Sequence, residues 1–320
     1  KDGKLIHIFD NNINIDDELL QEVLANASND KMKNIVNTIQ MEQNKVKIYV
    51  ASHKPDSVYS DDVYTPIHVG RKNSPFKEEM ANMIGDDTGD NISEKNCYYS
   101  ELTAEYWMWK NSTAEYVGLA HYRRYLKTLV TSENVDYLLG KHYDVMLCCP
   151  EYIKTTVEKR LMIDTSQEDV AIFFSSIKRV APDYYYTALK YYGGNKVISF
   201  NMFVMKKCVF DKFAEWQFCI FSDMEKYIKY SNYTRQKRVF GYFGETLLPI
   251  YCMHNCFKIK YVPFIWGTLG CKTKNTYIKD MLLKYYHTFI FKLSNPQPPH
   301  CVPAVKVGLE KDGIEVLMDE

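Results

Sequence analysis

The chain lacks the features that mark membrane-spanning, secreted and nucleic-acid-binding proteins. No stretch approaches the roughly 20 apolar residues that span a bilayer. Residues 1–17 contain no apolar core, so the sequence predicts no signal peptide. Its 40 basic and 40 acidic residues cancel, so no overall positive field draws the chain to nucleic acid. We therefore expect a cytoplasmic protein with no nucleic-acid partner.

The cysteines form neither a disulfide framework nor a metal motif. They number nine, an odd count without regular spacing, which favours reduced thiols. Cys252, His254 and Cys256 are the one suggestive group of zinc ligands, and no second pair lies near them in the sequence. We interpret the two cysteines as buried residues on one face of a helix.

Tyrosine is abundant instead, with 26 among 320 residues. Aromatic rings stack on sugars and bases, but tyrosine also fills half-buried positions in any core. The excess favours carbohydrate binding only mildly.

Composition and hydrophobic pattern divide the chain into three parts. Residues 1–45 are rich in Asn, Asp and Gln and are interpreted as an N-terminal extension or the remnant of an upstream module. Residues 46–270 alternate strand-like and helix-like segments, which predicts an α/β domain with a mainly parallel central sheet flanked by helices. Residues 271–320 hold a basic-aromatic helix over 277–293, a Pro-rich link and a polar tail. That helix either lies in a membrane interface or packs on the domain.

Apolar runs and helical spacing define the predicted elements of the central part. Strands are predicted over residues 46–51, 116–120, 143–148, 198–205 and 259–264. Helices are predicted over residues 98–110, 135–139, 168–180, 183–192, 210–230 and 245–256. Ligands of such sheets bind at the carboxyl ends of the strands, so polar motifs at strand ends are the candidate site.

The first strand ends in small and polar residues, which lets a nucleotide approach the backbone. Tyr49, Ala51, His53 and Lys54 are the candidate nucleotide contacts there. A plain strand followed by a Pro-terminated turn is the alternative.

A polar loop over residues 85–93 holds Asp86, Asp87, Asp90 and Asn91. These side chains suit sugar hydroxyls, ribose or a cation, and a solvated turn uses the same residues. The loop lacks the twelve-residue acidic pattern of an EF-hand, which is therefore excluded.

The sharpest motif follows the predicted strand at 116–120, where His121, Arg123 and Arg124 are framed by tyrosines. Guanidinium groups bind phosphate oxygens in pairs of hydrogen bonds and keep their charge at any working pH. The three side chains are therefore candidates for neutralising a departing nucleoside diphosphate, with a basic surface patch as the alternative. A divalent metal could do the same, but the sequence has no Asp-x-Asp triplet, so we predict no metal ligands.

Two further residues complete the candidate site. Asn201 lies inside an apolar predicted strand, where its amide either is satisfied structurally or holds a donor or acceptor sugar. Glu245 follows two glycines at the predicted start of a helix and is a candidate base for an attacking hydroxyl. The alternative is a glutamate favoured by the helix dipole.

Together these segments resemble a bacterial polysaccharide glycosyltransferase family catalogued as a domain of unknown function. The resemblance spans roughly residues 47–264. It is carried by residues 48–55, 64–70, 86–95, 101–103, 106–107, 109–111, 118–125, 201–206 and 238–245. It implies a GT-A-like fold and a place in capsule, exopolysaccharide or O-antigen synthesis. A galactofuranosyltransferase role within the family implies inverting transfer from UDP-galactofuranose to a lipid-linked glycan.

The resulting hypothesis is a UDP-sugar-dependent hexosyltransferase whose donor is a substrate. No cofactor is assigned, and a divalent metal stays an open alternative that no Asp-x-Asp motif indicates. Because a lipid-linked acceptor lies at the inner face of the cytoplasmic membrane, peripheral contact with that face is expected. The main alternative is a non-catalytic glycan- or nucleotide-binding module. A phosphotransferase or nucleotidyltransferase is disfavoured because no Gly-rich phosphate loop with Lys-Ser/Thr and no paired metal carboxylates are present.

Overall fold

The computed structural model describes residues 45–267 and 277–296. Most of the predicted N-terminal extension, the segment 268–276 and the tail after residue 296 lie outside these ranges. The division of the chain into three parts therefore stays a prediction.

A mixed sheet with a parallel core organises the described chain. Its strands run in the order β10-β6-β9-β4-β1-β2-β3, with β5 and β11 attached beside β4, while β7 and β8 form a separate ribbon. The strands are β1 (Val46–Ser52), β2 (Tyr64–His68), β3 (Ile84–Gly85), β4 (Tyr116–His121), β5 (Arg124–Leu126), β6 (Val145–Cys148), β7 (Glu151–Tyr152), β8 (Lys196–Val197), β9 (Phe203–Lys206), β10 (Ile259–Val262) and β11 (Phe264–Trp266).

The strand directions explain where polar residues gather. Strand β1 is parallel to β2 and β4, β2 is parallel to β3, and β10 is parallel to β6. Both β1 and β4 are buried along nearly their whole length, as expected for strands covered on both faces. Strand β9 runs antiparallel to β4 and β6, so the residues that precede it lie at the carboxyl edge of β4.

Helices cover the sheet and hold most of the aromatic core. They are α1 (Asn96–Tyr99), α2 (Leu102–Asn111), α3 (Val135–Leu138), α4 (Val157–Leu161), α5 (Gln167–Val180), α6 (Tyr185–Tyr192), α7 (Lys207–Met224), α8 (Thr234–Lys237), α9 (Val239–His254) and α10 (Tyr277–Leu293). The predicted mainly parallel central sheet flanked by helices is confirmed. No helix in the described part of the chain is both long and apolar enough to span a bilayer.

Helix α9 is fixed to its neighbours by stacked aromatic rings. The Phe240 ring stacks on Tyr99 at 4.4 Å and the Phe243 ring stacks on Phe173 at 4.7 Å between centroids. Burial of a large side chain of this kind stabilises the fold by about 1.5–3 kcal/mol. Helix α9 is thereby held against α1 and α5, which fixes the position of Glu245.

The predicted start of this helix at residue 245 is wrong, because α9 begins at Val239. Gly241 and Gly244 suggested a loop, but both are helical and allow close packing. A Cβ atom on Gly244 would lie 2.8 Å from Leu102 Cδ2, and one on Gly241 would lie 3.1 Å from Ser100 Oγ. The glycines are therefore contact positions between α9 and the residues around α2.

The interpretation of the two cysteines is correct for only one of them. Cys252 is buried in α9, whereas Cys256 is exposed and has a positive φ beyond the end of the helix. Strand β2 was not predicted, because Pro66 interrupts its sequence.

Candidate functional site

The carboxyl ends of β1 and β4 lie side by side, since Ala51 pairs with His121. The chain then turns so that His121 pairs with Arg124 at the start of β5. Because β9 runs in the opposite direction, Phe200 and Asn201 reach the same edge. This is where ligands of open α/β sheets bind.

The turn before β9 has an unusual backbone. Phe200 and Asn201 have φ angles of 80° and 46°, in the left-handed region that non-glycine residues rarely adopt. The Asn201 side chain is buried and donates from Nδ2 to Glu101 Oε1 at 2.7 Å. His121 Nε2 donates to the Phe200 carbonyl oxygen. The Phe200 N–H donates to the Glu245 carboxylate. Contacts from three elements thus hold this turn.

Glu101 is a central residue that the motif analysis did not select. It lies just before α2, is 8% exposed, and its Oε2 is 4.0 Å from Arg238 Nη2. Arg238 is itself oriented by a hydrogen bond of 2.8 Å from its Nε to Ser100 Oγ. Both residues belong to the segments that carry the family resemblance. A glutamate at a helix start is too common to indicate a site by itself.

Glu245 projects from α9 towards this turn and is half-buried. Its pKa is raised to about 8, first by burial and second by the negative charge of Glu101. The Phe200 N–H and the charges of Arg160 and Arg124 oppose this shift. A carboxyl group whose pKa lies near neutral pH is well suited to accept a proton. Glu245 lies within α9 and not at its first turn, so the helix-dipole explanation does not apply.

Arg124 packs against two aromatic rings. Its guanidinium carbon is 4.5 Å from the centroid of Phe200 and 4.6 Å from that of Trp266. Its Nε makes no hydrogen bond within the described structure. The two rings contact each other edge-on at 6.1 Å between centroids. They therefore form a corner that restricts the guanidinium and leaves its other side to meet a ligand. Trp266 is 59% exposed, so this aromatic surface opens to solvent.

Arg123 lies at the rim of the site and already has a partner. Its Nε donates to Asp56 Oδ2 at 2.9 Å, and its Nη2 is 2.7 Å from the same oxygen. The pair is largely exposed, so solvent weakens the attraction. To bind a diphosphate, Arg123 must either release the Asp56 carboxylate or contact the carboxylate and the phosphate oxygens at the same time.

His53 follows β1 and reaches the same edge. Its ring packs edge-on against Tyr122 at 5.6 Å between centroids. Desolvation lowers its pKa, and the charges of Lys54, Arg238 and Arg123 lower it further. The side chains that the structure brings together are termed the edge cluster: His53, Lys54, Glu101, His121, Arg124, Asn201, Arg238 and Glu245.

Tyr49 and Ala51 occupy core positions in β1. Both are buried. The Tyr49 hydroxyl donates to Ser112 Oγ at 2.9 Å, and its ring packs edge-on against Trp107. Their side chains pack in the core, and neither residue belongs to the edge cluster.

Asp86 is fully buried and its carboxylate is saturated by protein donors. It accepts hydrogen bonds from the Gly70 N–H at 2.7 Å, the Arg71 N–H at 3.1 Å, Thr103 Oγ1 at 2.6 Å and Ser93 Oγ. These bonds tie the turn after β2 to the start of α2. The structure therefore gives Asp86 a structural role, in place of the donor contact expected from the sequence.

The rest of the acidic loop lies away from the edge cluster. Asp90 accepts from the Tyr106 hydroxyl at 3.2 Å, and its carbonyl accepts from Asn111 Nδ2 at 2.9 Å. Asn111 ends the ten-residue helix α2, which places it about 15 Å from Glu101. Asn91 bonds within the loop to Gly89, so the structure does not bring either residue to the cluster.

Asp87 lies at the end of β3, where its carboxylate is 3.5 Å from Arg71 Nη1. It is half-buried, and Arg71 already compensates its charge. In the described ranges, no group of three or more His, Cys, Asp or Glu side chains could hold a metal ion. No step of the chemistry below is assigned to a metal ion.

Comparison with known proteins places the chain in a family. The family described as a domain of unknown function, DUF4422, matches residues 47–256. The chain is also similar to the apo structure of WbbM, described as a bifunctional glycosyltransferase, with a TM-score of 0.60 and 28% sequence identity. That similarity covers 72% of this chain and 46% of WbbM, so this chain spans less than half of that relative. A search of curated proteins gave no match. Because the matched segment makes up most of the chain, the protein belongs to the DUF4422 family.

Proposed function

We propose that the protein is a glycosyltransferase that moves a hexose from a UDP-sugar to a lipid-linked glycan acceptor. The observation that carries this proposal is the edge cluster, which combines cationic side chains with a carboxyl group of raised pKa at the ligand-binding edge of the sheet. The similarity to WbbM supports glycosyl transfer. The family resemblance supports galactofuranose, inversion, and a cytoplasmic role in capsule, exopolysaccharide or O-antigen synthesis.

In this proposal the cationic residues bind the diphosphate. As the bond between the anomeric carbon and the diphosphate oxygen breaks, that oxygen takes the electron pair. Arg124, whose Nε lacks a protein partner, stabilises the developing charge. His121 pairs with Arg124 and donates from Nε2 to the Phe200 carbonyl. Because burial lowers the pKa of His121, it orients the site and adds no charge at neutral pH. Arg238, which is held by Ser100 Oγ and lies beside Glu101, adds a second guanidinium.

Glu245 acts as the base. The acceptor hydroxyl attacks the anomeric carbon while its proton passes to the Glu245 carboxylate. Asn201 and Glu101 keep the turn before β9 in place, and that turn donates the Phe200 N–H to Glu245. The acceptor sugar stacks on the exposed ring of Trp266, since aromatic faces suit pyranose and furanose rings.

The test is donor turnover with UDP-galactofuranose, UDP-galactose and UDP-glucose, each with and without EDTA. We expect one donor to be consumed, with a rate that EDTA leaves unchanged. Glu245→Gln should abolish most of this turnover. Glu215→Gln, a matched change at an exposed position of α7, should leave it unchanged. Binding of UDP without turnover of any donor, in the presence of glycan acceptors, would instead support a non-catalytic binding module.

A further inference from the structure

Helix α10 carries an exposed apolar row, which touches the domain at one edge, where Lys154 Nζ lies 4.9 Å from the Tyr286 ring centroid. Its side chains recur three or four positions apart, which places them on one face of the helix. They are between 50% and 65% exposed. The row consists of Leu282, Tyr285, Tyr286, Phe289 and Leu293.

The opposite face of α10 attaches the helix to the domain. His287 Nδ1 lies 2.6 Å from the Tyr152 carbonyl oxygen, and Lys284 Nζ lies 4.8 Å from the Tyr152 ring centroid. At about 100° per residue, His287 and Lys284 lie about 140° and 160° around the helix from Leu282. The apolar row is therefore not part of the core.

Positive charges border the row on both sides. On the same helical geometry, Lys279 lies about 60° to one side of Leu282 and Lys292 about 80° to the other. Both are exposed. The acidic residue of this helix, Asp280, lies about 160° away, towards the domain. Lysines beside an apolar stripe extend their amines to the level of lipid phosphates, and tyrosine is favoured in the same interfacial layer.

We propose that this face of α10 binds the surface of an anionic membrane. The helix lies parallel to the bilayer, its apolar row enters the boundary between headgroups and acyl chains, and Lys279 and Lys292 meet anionic headgroups. A second copy of the chain fits less well, because neither border carries an acid for the lysines of that copy. The inference does not depend on sugar transfer, although it would bring the edge cluster to a lipid-linked acceptor.

Co-sedimentation of the full chain with vesicles tests the proposal. We expect binding to vesicles of phosphatidylcholine with phosphatidylglycerol, and much weaker binding to phosphatidylcholine alone. The double variant Leu282→Asp/Phe289→Asp should lower the partition coefficient by about tenfold or more, because it places charges in the acyl boundary. Lys279→Glu/Lys292→Glu should remove the preference for the anionic lipid. Tyr137→Asp, at an exposed aromatic residue of α3, is the matched control and should bind as the unchanged chain does.

Several results would overturn this inference. One is the absence of vesicle binding by a chain whose circular dichroism shows it to be folded. Another is equal binding by the Leu282→Asp/Phe289→Asp variant. A third is a dimer in sedimentation velocity that this variant dissociates, since the row would then be a contact between copies. Donor turnover measured without vesicles on the same samples separates failure of this inference from failure of the proposed enzymatic function.

Discussion

The pH dependence of turnover should report the ionisation of Glu245. Its pKa is raised to about 8, mainly because the carboxyl group is buried. Only the ionised carboxylate can accept the proton of an acceptor hydroxyl. The ionised fraction rises from about one tenth at pH 7 to about nine tenths at pH 9. We therefore expect kcat/KM to increase about tenfold over this interval.

Two neighbours should move this profile in opposite directions. The charge of Glu101 raises the pKa of Glu245, so Glu101→Gln should shift the midpoint to lower pH. Gln keeps an oxygen that can accept the hydrogen bond from Asn201, so the turn before β9 should be preserved. The charge of Arg124 lowers the same pKa, and Arg124→Gln should shift the midpoint to higher pH while it also reduces the rate.

The assay is the initial rate of UDP release with acceptor between pH 6 and pH 10, analysed as kcat/KM. Glu245→Gln should remove both most of the rate and its rise with pH, whereas Glu215→Gln should retain both. A Glu245→Gln enzyme that kept the unchanged profile would refute the assignment of the base. An unshifted midpoint in Glu101→Gln would refute the electrostatic coupling of the two carboxyl groups.

Three further predictions follow from individual contacts. Arg124→Ala should reduce kcat/KM by about 10²-fold or more, because the cation next to the leaving group is lost. Arg123→Ala should reduce kcat/KM less, since Arg123 is already paired with Asp56. Equal losses in the two variants would contradict this ranking. Asp86→Asn should lower the free energy of unfolding, measured by urea denaturation, by about 3 kcal/mol, because four donors lose a charged acceptor. Asp87→Asn is the control at a half-buried position and should change this free energy little. Glu105 is buried and hydrogen-bonded to Gln217, and its pKa is raised to about 8. The stability that Glu105 contributes is therefore complete below its unfolded pKa of about 4.5 and is lost as pH rises through about 8. The loss is on the order of 1 kcal/mol per pH unit. Glu105→Gln should flatten the decline of the melting temperature between pH 6 and pH 9, and an unchanged slope would exclude Glu105 as its source.

Much of the sheet could be predicted because its central strands are short apolar runs. Strands β1 and β4 lie where such runs were recognised, and the residues that follow them do reach a common edge. Strand β2 was missed because Pro66 removes a backbone donor, a loss that this strand tolerates between β1 and β3. The start of α9 was misplaced because a glycine costs about 1 kcal/mol in a helix. Here close contact with Leu102 and Ser100 outweighs that cost.

Only part of the site could be predicted in the same way. His121 and Arg124 follow a strand, so sheet geometry alone brings them to the ligand edge. Glu101 and Arg238 immediately precede α2 and α9, and their meeting depends on how these two helices pack. Asp86 was predicted to bind the donor and instead accepts hydrogen bonds from its own chain. The composition of its loop suits ligand binding and internal hydrogen bonding equally well. Local sequence does not tell which donors will reach a carboxylate.

The turn before β9 links the proposed acid–base and charge-stabilising groups through one residue. Phe200 donates its N–H to Glu245 and accepts from His121 at its carbonyl. Both bonds require the left-handed backbone at Phe200 and Asn201, and such conformations persist only where surrounding contacts enforce them. The hydrogen bond from Asn201 to Glu101 supplies that enforcement. The Phe200 ring also packs against the Arg124 guanidinium. A strained turn held in this way therefore fixes the base and the Arg124 cation relative to each other before substrate binds, which is the arrangement that electrostatic preorganisation requires.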